Sequence, residues 1–498
     1  METELKEKTA KGIFWAFLNN GATQLLNAVF GVVLINILHT SDYGMVGMLT
    51  VFTLIANSIQ DSGFVTALIN KKDATHLDYN SVFWFNICMS FCLYIILYFC
   101  APLISDFYHQ PLLTDLSRYY FLGFFIASFS IVPRAILMKQ IKQKELTIMG
   151  LVSLLVSGTI GVVMALNGMA YWGIATQTMA FNLMVSILSW VLSGWRPSFK
   201  VSTRPIREMF GFSSKMLVTN IFNQVNNQIF SLVFGKLYTE HEVGIYSQAD
   251  KWNKMGNSTI TGIIQGVSQP MFVQVGDDME RLRRAFSKML RFTCFISFPI
   301  MFGLALVSHE FIMMLAKPEW EASAGLMHYL CIGGAFLPIS TLYFNLIISR
   351  GKSDVYMWNI IAQGSAILGT ILLVHACGGG IDAMIISYVA IVIAWIAVWH
   401  IFLRQEIHYP FLSALKDIMP FLLTAAATMA IVYFATKPFA DFTPTRMNYA
   451  LLLLVRVVMA VIIYVGTLWV FGAKILKECI GYLRKKKPEE RNNKDGEC

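Results

Sequence analysis

Amide and basic side chains recur in this chain at spacings suited to holding a polar, negatively charged ligand. Asn20, Gln24 and Asn27 stand at i, i+4 and i+7, and Asn220, Gln224 and Asn227 repeat them 200 residues later. On a helix that spacing puts each trio on one face. An amide supplies two donors and a carbonyl acceptor, the mixed inventory that a hydroxyl-rich ligand needs. Asn223 thickens the second stripe. Asp250 and Lys254 stand four apart in the order that favours pairing along a helix, whereas Lys251 has no acidic residue three or four positions away. With Lys215, and with Arg134 after Pro133, these lysines are candidate anion-binding groups. Asp61 and Asp250 are candidate ion or proton sites.

Nothing in the chain reads as covalent catalysis. There is no phosphate-cradling glycine loop with Lys-Ser or Lys-Thr, no paired-histidine metal motif and no nucleophile elbow. The eight cysteines show no metal spacing and mostly lie in apolar runs, where cysteine packs as a small hydrophobe. The expected chemistry is recognition and passage, without cofactor or metal, and the protein is not expected to be an enzyme.

The elements that carry these residues follow from composition. Of 498 residues, 56% are hydrophobic and only 14% charged, against about 25% charged in a soluble domain. A membrane-crossing helix needs about 20 largely apolar residues. Fourteen such runs are bounded by charge: 12–38, 44–69, 81–105, 116–138, 147–166, 170–194, 209–235, 244–269, 292–316, 322–347, 354–375, 382–403, 417–436 and 447–471. The apolar blocks are continuous, which excludes outer-membrane strands. The first run is too long for a signal peptide and lacks a small-residue cleavage site, so it is expected to be retained. The expected fold is an all-α polytopic membrane protein.

Orientation follows from the basic residues of the short loops. With the N-terminus inside, 29 of the 39 Lys and Arg fall in cytoplasmic segments and 4 in the opposite loops. The remaining six, Arg118, Arg134, Lys215, Lys251, Lys254 and Arg456, lie inside the spans. Both termini are expected in the cytoplasm. The basic tail after the last span reads as an anchor to anionic lipid head groups, not as a nucleic-acid patch. A Lys or Arg near the bilayer centre costs about 2.5–3.5 kcal/mol on insertion scales, so the six point to a cavity, a partner or an interface.

The 200-residue offset also aligns Phe30 with Phe230, Val33 with Val233 and Gly44 with Gly244. Six spans precede the second copy, so the repeats are parallel. The expected organisation is a cytoplasmic N-terminus (1–11), a six-helix lobe (12–194), a cytoplasmic linker (195–208), a second six-helix lobe (209–403), a linker (404–416), two added helices (417–471) and a basic tail (472–498). A polar cavity between the lobes would be lined by the two amide stripes. No loop is large enough for an ATPase, leaving ion gradient, membrane potential or substrate gradient as the energy source.

Four segments carry a resemblance: Thr9-Ala-Lys-Gly-Ile-Phe-Trp15, Asp42-Tyr-Gly44, the stretch from Gln60-Asp-Ser-Gly to Lys72, and Glu242-Val-Gly-Ile-Tyr-Ser-Gln-Ala249. With the span count, the chain resembles the Wzx/WzxC-type polysaccharide flippases of the multidrug/oligosaccharidyl-lipid/polysaccharide exporter superfamily. The resemblance implies movement of an undecaprenyl-diphosphate-linked oligosaccharide from the cytoplasmic to the periplasmic leaflet of a bacterial inner membrane. Its product would feed O-antigen, capsule or exopolysaccharide synthesis. It implies alternating access between two lobes, with Lys251, Lys254, Lys215 and Arg134 as candidates for the diphosphate and the amides for the glycan. The polymerase and export machinery of such a pathway would be neighbours in the bilayer, and no nucleic acid would be a partner. The alternatives are a cation-coupled drug exporter on the related fold and a peptidoglycan-precursor flippase. The first would prefer an acidic lumen, and the second basic residues within the first span.

Overall fold

A computed structural model of the chain describes residues 21–61, 68, 74–140, 142–204, 206–207, 221–222, 224–225, 228–276, 278–439 and 445–471. Asn20, Lys215, Asn220, Asn223 and Asn227 lie outside the described residues, as does the side chain of Asp61. All regular structure among the described residues is helical, and the chain divides into two compact units, Met1–Gln248 and Ala249–Cys498.

The first unit contains α1 (Gly21–Ile37), α2 (Thr40–Asp61), α3 (His76–Tyr108), α4 (Leu113–Lys139), α5 (Gln143–Leu166), α6 (Ala170–Ser193), α7 (Ile229–Leu237) and the first turns of α8 (Glu240–Val275). The second contains the rest of α8, then α9 (Met279–Leu306) and a short helix, Ser308–Leu315. It continues with α10 (Pro318–Ser349), α11 (Ser353–Ala376), α12 (Ile381–Ile407), α13 (Phe411–Thr436) and α14 (Arg446–Val470). Among the described residues, ten of these helices are long and apolar enough to cross a membrane, namely α3 to α6 and α9 to α14. The other expected spans fall, in their described parts, on α1, α2, α7 and α8. These helices are shorter or richer in polar residues.

The N-terminal ends of α2 and α8 share one construction at the 200-residue offset. The His39 backbone N–H donates to Asp42 Oδ2 at 2.9 Å, and the Thr239 N–H donates to Glu242 Oε2 at 2.9 Å. In each case the third helical residue reaches back to an N–H that has no helical partner. The two helices then cross at Gly44 and Gly244. A Cβ on Gly44 would overlap the carbonyl oxygen of Glu240, and a Cβ on Gly244 that of Thr40. The contact is reciprocal, and Thr40 Oγ1 also hydrogen-bonds His241 Nδ1. Gln110 Nε2 donates to Glu240 Oε2 at 2.8 Å, and Lys236 Nζ donates to the Phe107 carbonyl at 2.7 Å. Together these bonds tie the end of α3 to the same crossing.

Three expected continuous spans are interrupted, and prolines 133 and 299 each free a carbonyl that finds a donor on another helix. Pro133 cannot donate to the Phe129 carbonyl four residues earlier. The chain tightens there to a 3-10 turn, Ser128–Ser130, and Trp190 Nε1 takes the freed oxygen at 2.7 Å. Pro299 likewise frees the Phe295 carbonyl, which accepts from Tyr464 OH at 3.1 Å. In α10 the helix breaks after Gly334, ahead of Pro338, and Ser297 Oγ donates to the Ala335 carbonyl at 2.7 Å. The 292–316 run breaks at Val307, where the short helix begins. An unmet carbonyl in hydrocarbon costs several kcal/mol, and donors on other helices meet those of Phe129, Phe295 and Ala335.

At the α9–α13 contact, Asp417 Oδ2 accepts from Ser287 and from Tyr409 OH at 2.5 Å, and Arg291 Nε stands 3.7 Å from Oδ1. Burial, and then the Asp417 carboxylate, holds the Tyr409 phenol above its ordinary pKa. Cys294 and Cys331 are buried as packing residues. Cys88, Cys92 and Cys377 instead face outward, which an apolar lipid surface permits.

Gly44→Ala is expected to lower the detergent-solubilised protein's thermal stability by about 1–3 kcal/mol or more, the usual cost of overpacking. Gly262→Ala, where no atom lies within 4 Å, is expected to be neutral or stabilising by up to about 1 kcal/mol. Equal effects of the two, read by thermal unfolding, would remove the α2–α8 crossing as a packing constraint.

Candidate functional site

The site is built by the seam between α4 and α6. Asn182, Ser186 and Trp190, four residues apart on α6, donate to the carbonyls of Gly123, Ile126 and Phe129 on α4 at 3.0, 2.9 and 2.7 Å. Tyr119 OH and Thr176 Oγ1 extend the seam at 2.9 Å. This stripe fixes the rotation of α6 and turns Gln177, Thr178, Phe181 and Val185 toward a cavity. Across from it, α5 approaches α6 closely at Gly161 and Gly173: a Cβ on Gly173 would lie 3.2 Å from the Gly161 carbonyl oxygen. The open Cα of Gly161 seats the Gln177 amide, and that of Gly158 seats the Phe30 ring of α1.

The resulting cavity holds about 650 Å³, within the range of small-ligand sites. Its wall includes Thr23 and Asn27 of α1, Arg134 of α4, Gln143 and Ser157 of α5, and Gln177 and Thr178 of α6. Leu146, Met149 and Phe181 supply apolar surface. Asn27 and Arg134 are thus brought together, although 107 residues separate them in sequence. Gln24 is half-buried on α1 and is not part of the wall. Gln143, Ser157, Gln177 and Thr178 escape sequence reasoning because they come from two different helices with no shared spacing.

The other candidates lie elsewhere. Asp250 and Lys254 pair at 2.6 Å along α8, as their spacing predicts. Lys251 makes no ion pair among the described residues, and its ammonium stands 5.7 Å from the Trp252 ring centroid, a weak cation–π distance. Beside it, Asn253 is buried against Gly334, where any Cβ would overlap the amide oxygen. Gln224 is half-buried in a short helical stretch, and Asp61 closes α2.

Two of the intramembrane cations are structural. Arg118 is 3.8 Å from Asp115 and sits 4.6 Å over the Tyr98 ring. Arg456 and Glu310 form a buried pair at 2.7 Å, with Arg456 also donating to Thr436 Oγ1 at 3.0 Å. That pair joins α14 and α13 to the short helix after α9. Arg134, by contrast, is exposed toward the cavity and has neither ion pair nor hydrogen bond among the described residues.

Comparison with known proteins bears on what such a cavity serves. Residues 33–325 match a family model described as "Polysaccharide biosynthesis protein". The chain is 23% identical over 357 residues to the lipopolysaccharide biosynthesis protein WzxC of Escherichia coli, covering 70% of this chain and 72% of that one. It is 25% identical over 441 residues to the teichuronic acid biosynthesis protein TuaB of Bacillus subtilis, covering 87% and 90%. The fold is similar to that of the lipid II flippase MurJ in an inward closed conformation. The TM-score is 0.71 at 12% identity, over 93% of this chain and 99% of that one.

If the Arg456–Glu310 pair is purely structural, Arg456→Met alone strands a buried carboxylate and is expected to cost about 3–5 kcal/mol. Adding Glu310→Leu should return most of that stability. Thermal unfolding of the two variants checks this, and a double variant no better than the single one would assign Arg456 another role.

Proposed function

The chain belongs to the Wzx-type family of polysaccharide biosynthesis proteins, and from that premise we propose that it flips an undecaprenyl-diphosphate-linked oligosaccharide across the bacterial inner membrane. The observation that carries the reading is the cavity within the first unit: amides and hydroxyls between membrane helices, with an arginine that has no ion pair among the described residues. Amides and hydroxyls match sugar hydroxyls in both donor and acceptor capacity. A cation favours a ligand of opposite charge. Among the described residues the wall contains no carboxylate, which disfavours a cation-coupled drug exporter at this site.

In this reading the glycan enters from the cytoplasmic side, where Arg134 and Gln143 stand at the basic ends of α4 and α5. Two six-helix lobes, 12–194 and 209–403, alternate access around the substrate, and the amides of the 220–228 stretch contribute to the path. Lys251, with no ion pair among the described residues, is the leading candidate for the diphosphate, with Lys254 available when Asp250 exchanges partners. Lys215 is a further candidate. Helices α13 and α14 leave a lateral place for the polyprenyl tail. The finished repeat unit emerges in the periplasmic leaflet for O-antigen, capsule or exopolysaccharide assembly.

Deletion of the gene in a strain without paralogues is expected to accumulate complete lipid-linked repeat units in the cytoplasmic leaflet. Normal outer-leaflet amounts would sink the proposal. The energetics give a second check. Each negative charge moved outward from a negative cytoplasm gains about 2.3 kcal/mol per 100 mV. In proteoliposomes without an ion gradient, an inside-negative potential is therefore expected to speed outward flipping, and an unchanged rate would show that the charge moves with a compensating cation.

A further inference from the structure

The chain leaves α6 at Gly194, whose φ of 65° ends the helix, and crosses the start of α3 as a strap, residues 195–202, without regular structure. Asn80 of α3 grips Ser198 twice: its Oδ1 accepts from the Ser198 N–H at 3.0 Å, and its Nδ2 donates to the Ser198 hydroxyl at 2.6 Å. Trp84 Nε1 donates to the Ser198 carbonyl at 2.9 Å, and the Ser202 N–H donates to Ser81 Oγ at 3.0 Å. Trp195 at the head of the strap and Ile206 beyond it both pack into the apolar core around Phe83. The backbone of Ser198 and Ser202 is thus spent on α3. Phe199 and Val201 are left at the crest, 89% and 51% exposed, with the Phe199 ring stacked on Trp84 at 5.2 Å.

The crest stands where two apolar runs meet the cytoplasm, that of α3 opening at Ser81 and that of α6 closing at Gly194. Trp84, Trp190 and Trp195 gather at the same level, as tryptophans do at a membrane–water interface. Residues 196–207 carry Arg196, Lys200, Arg204 and Arg207 and no carboxylate. Arg196 is spent on the carbonyls of Trp190 and Trp195, at 2.7 and 2.9 Å. Lys200 and Arg207 are exposed and have no ion pair among the described residues. On α3, Asp78 is buried in its own helix cap, where it accepts from the Thr75 N–H at 2.8 Å. We propose that the strap is a binding site for an anionic phospholipid of the cytoplasmic leaflet, with Phe199 and Val201 at the acyl boundary and Lys200 and Arg207 on the head-group phosphate. A phenyl ring held in open water forfeits the burial that the acyl boundary offers. A zwitterionic lipid would cover Phe199 and leave the net positive charge unanswered, whereas an anionic head group answers both. Because Trp195 and Ile206 are fixed in the first unit's core, the lipid is held by that unit. The proposal goes beyond the flippase reading and rests on the membrane orientation alone.

The test is photocrosslinking from the crest. The full chain carrying p-benzoylphenylalanine in place of Phe199 is placed in nanodiscs of equal phosphatidylglycerol and phosphatidylcholine, irradiated, and read by intact-mass spectrometry. Lipid adducts are expected, with phosphatidylglycerol captured about fivefold more than phosphatidylcholine, the scale of one basic residue at an anionic surface. Lys200→Gln combined with Arg207→Gln is expected to bring the ratio close to one while leaving total lipid capture within about twofold, because Phe199 and Val201 still reach the acyl boundary. Salt of about 0.5 M is expected to lower the ratio in the same direction. Both substituted residues are exposed, so the variant is expected to keep the thermal stability of the parent chain. Absence of lipid adducts, or adducts to a second copy of the chain or to another protein in cells, would overturn the site. Equal capture of the two lipids by the unsubstituted strap, or a preference that survives both Gln substitutions, would overturn its anionic selectivity. None of these outcomes depends on whether the chain flips a glycan.

Discussion

Two glycines, each facing the other helix's carbonyl oxygen, hold α2 and α8 at backbone contact. In a bilayer there is little hydrophobic gain from pressing helices together, because lipid tails are as apolar as leucine. Close van der Waals approach of small residues and interhelical hydrogen bonds do that work instead. The Gly44–Gly244 crossing combines both, since Thr40–His241 and Gln110–Glu240 bonds surround it. Its reciprocity follows from the repeat: the same cap, the same glycine and the same partner position occur on both helices. The end of α3 bonds to α7 and to the first turn of α8 beside this contact.

Elsewhere the helices are joined where their own hydrogen bonding fails. Pro133 and Pro299 each leave a carbonyl without its donor, and Trp190 and Tyr464 supply one from another helix. A kink in lipid would otherwise expose an unmet polar group, so the proline and its rescuing donor form one unit of structure. The consequence for the site is direct. Trp190 ends the donor stripe that sets the rotation of α6, and that rotation decides which α6 residues face the cavity.

The intramembrane cations sort by whether a partner satisfies them. Arg118, Lys254 and Arg456 are occupied by Asp115, Asp250 and Glu310. Arg134 and Lys251 have no acidic partner among the described residues. Arg134 instead opens onto the cavity of the first unit, and Lys251 stands near the Trp252 ring. The family to which the chain belongs is one of polysaccharide biosynthesis proteins.

Sequence by itself determined the class, an all-helical membrane protein, because that rests on local physics: hydrocarbon thickness and continuous apolar runs. The Asp250–Lys254 pair was legible for the same reason, being set by four residues of one helix. Tertiary structure decided the site. Asn27 and Arg134 share a wall with Gln177 only because α4 and α6 lock in one rotation, and no spacing within a single helix encodes that. Arg456 shows the converse: a mid-span arginine invites a functional reading until Glu310, 146 residues away, is found beside it. A charge in the chain states only that a partner is needed. Packing between distant helices settles whether the protein already contains it.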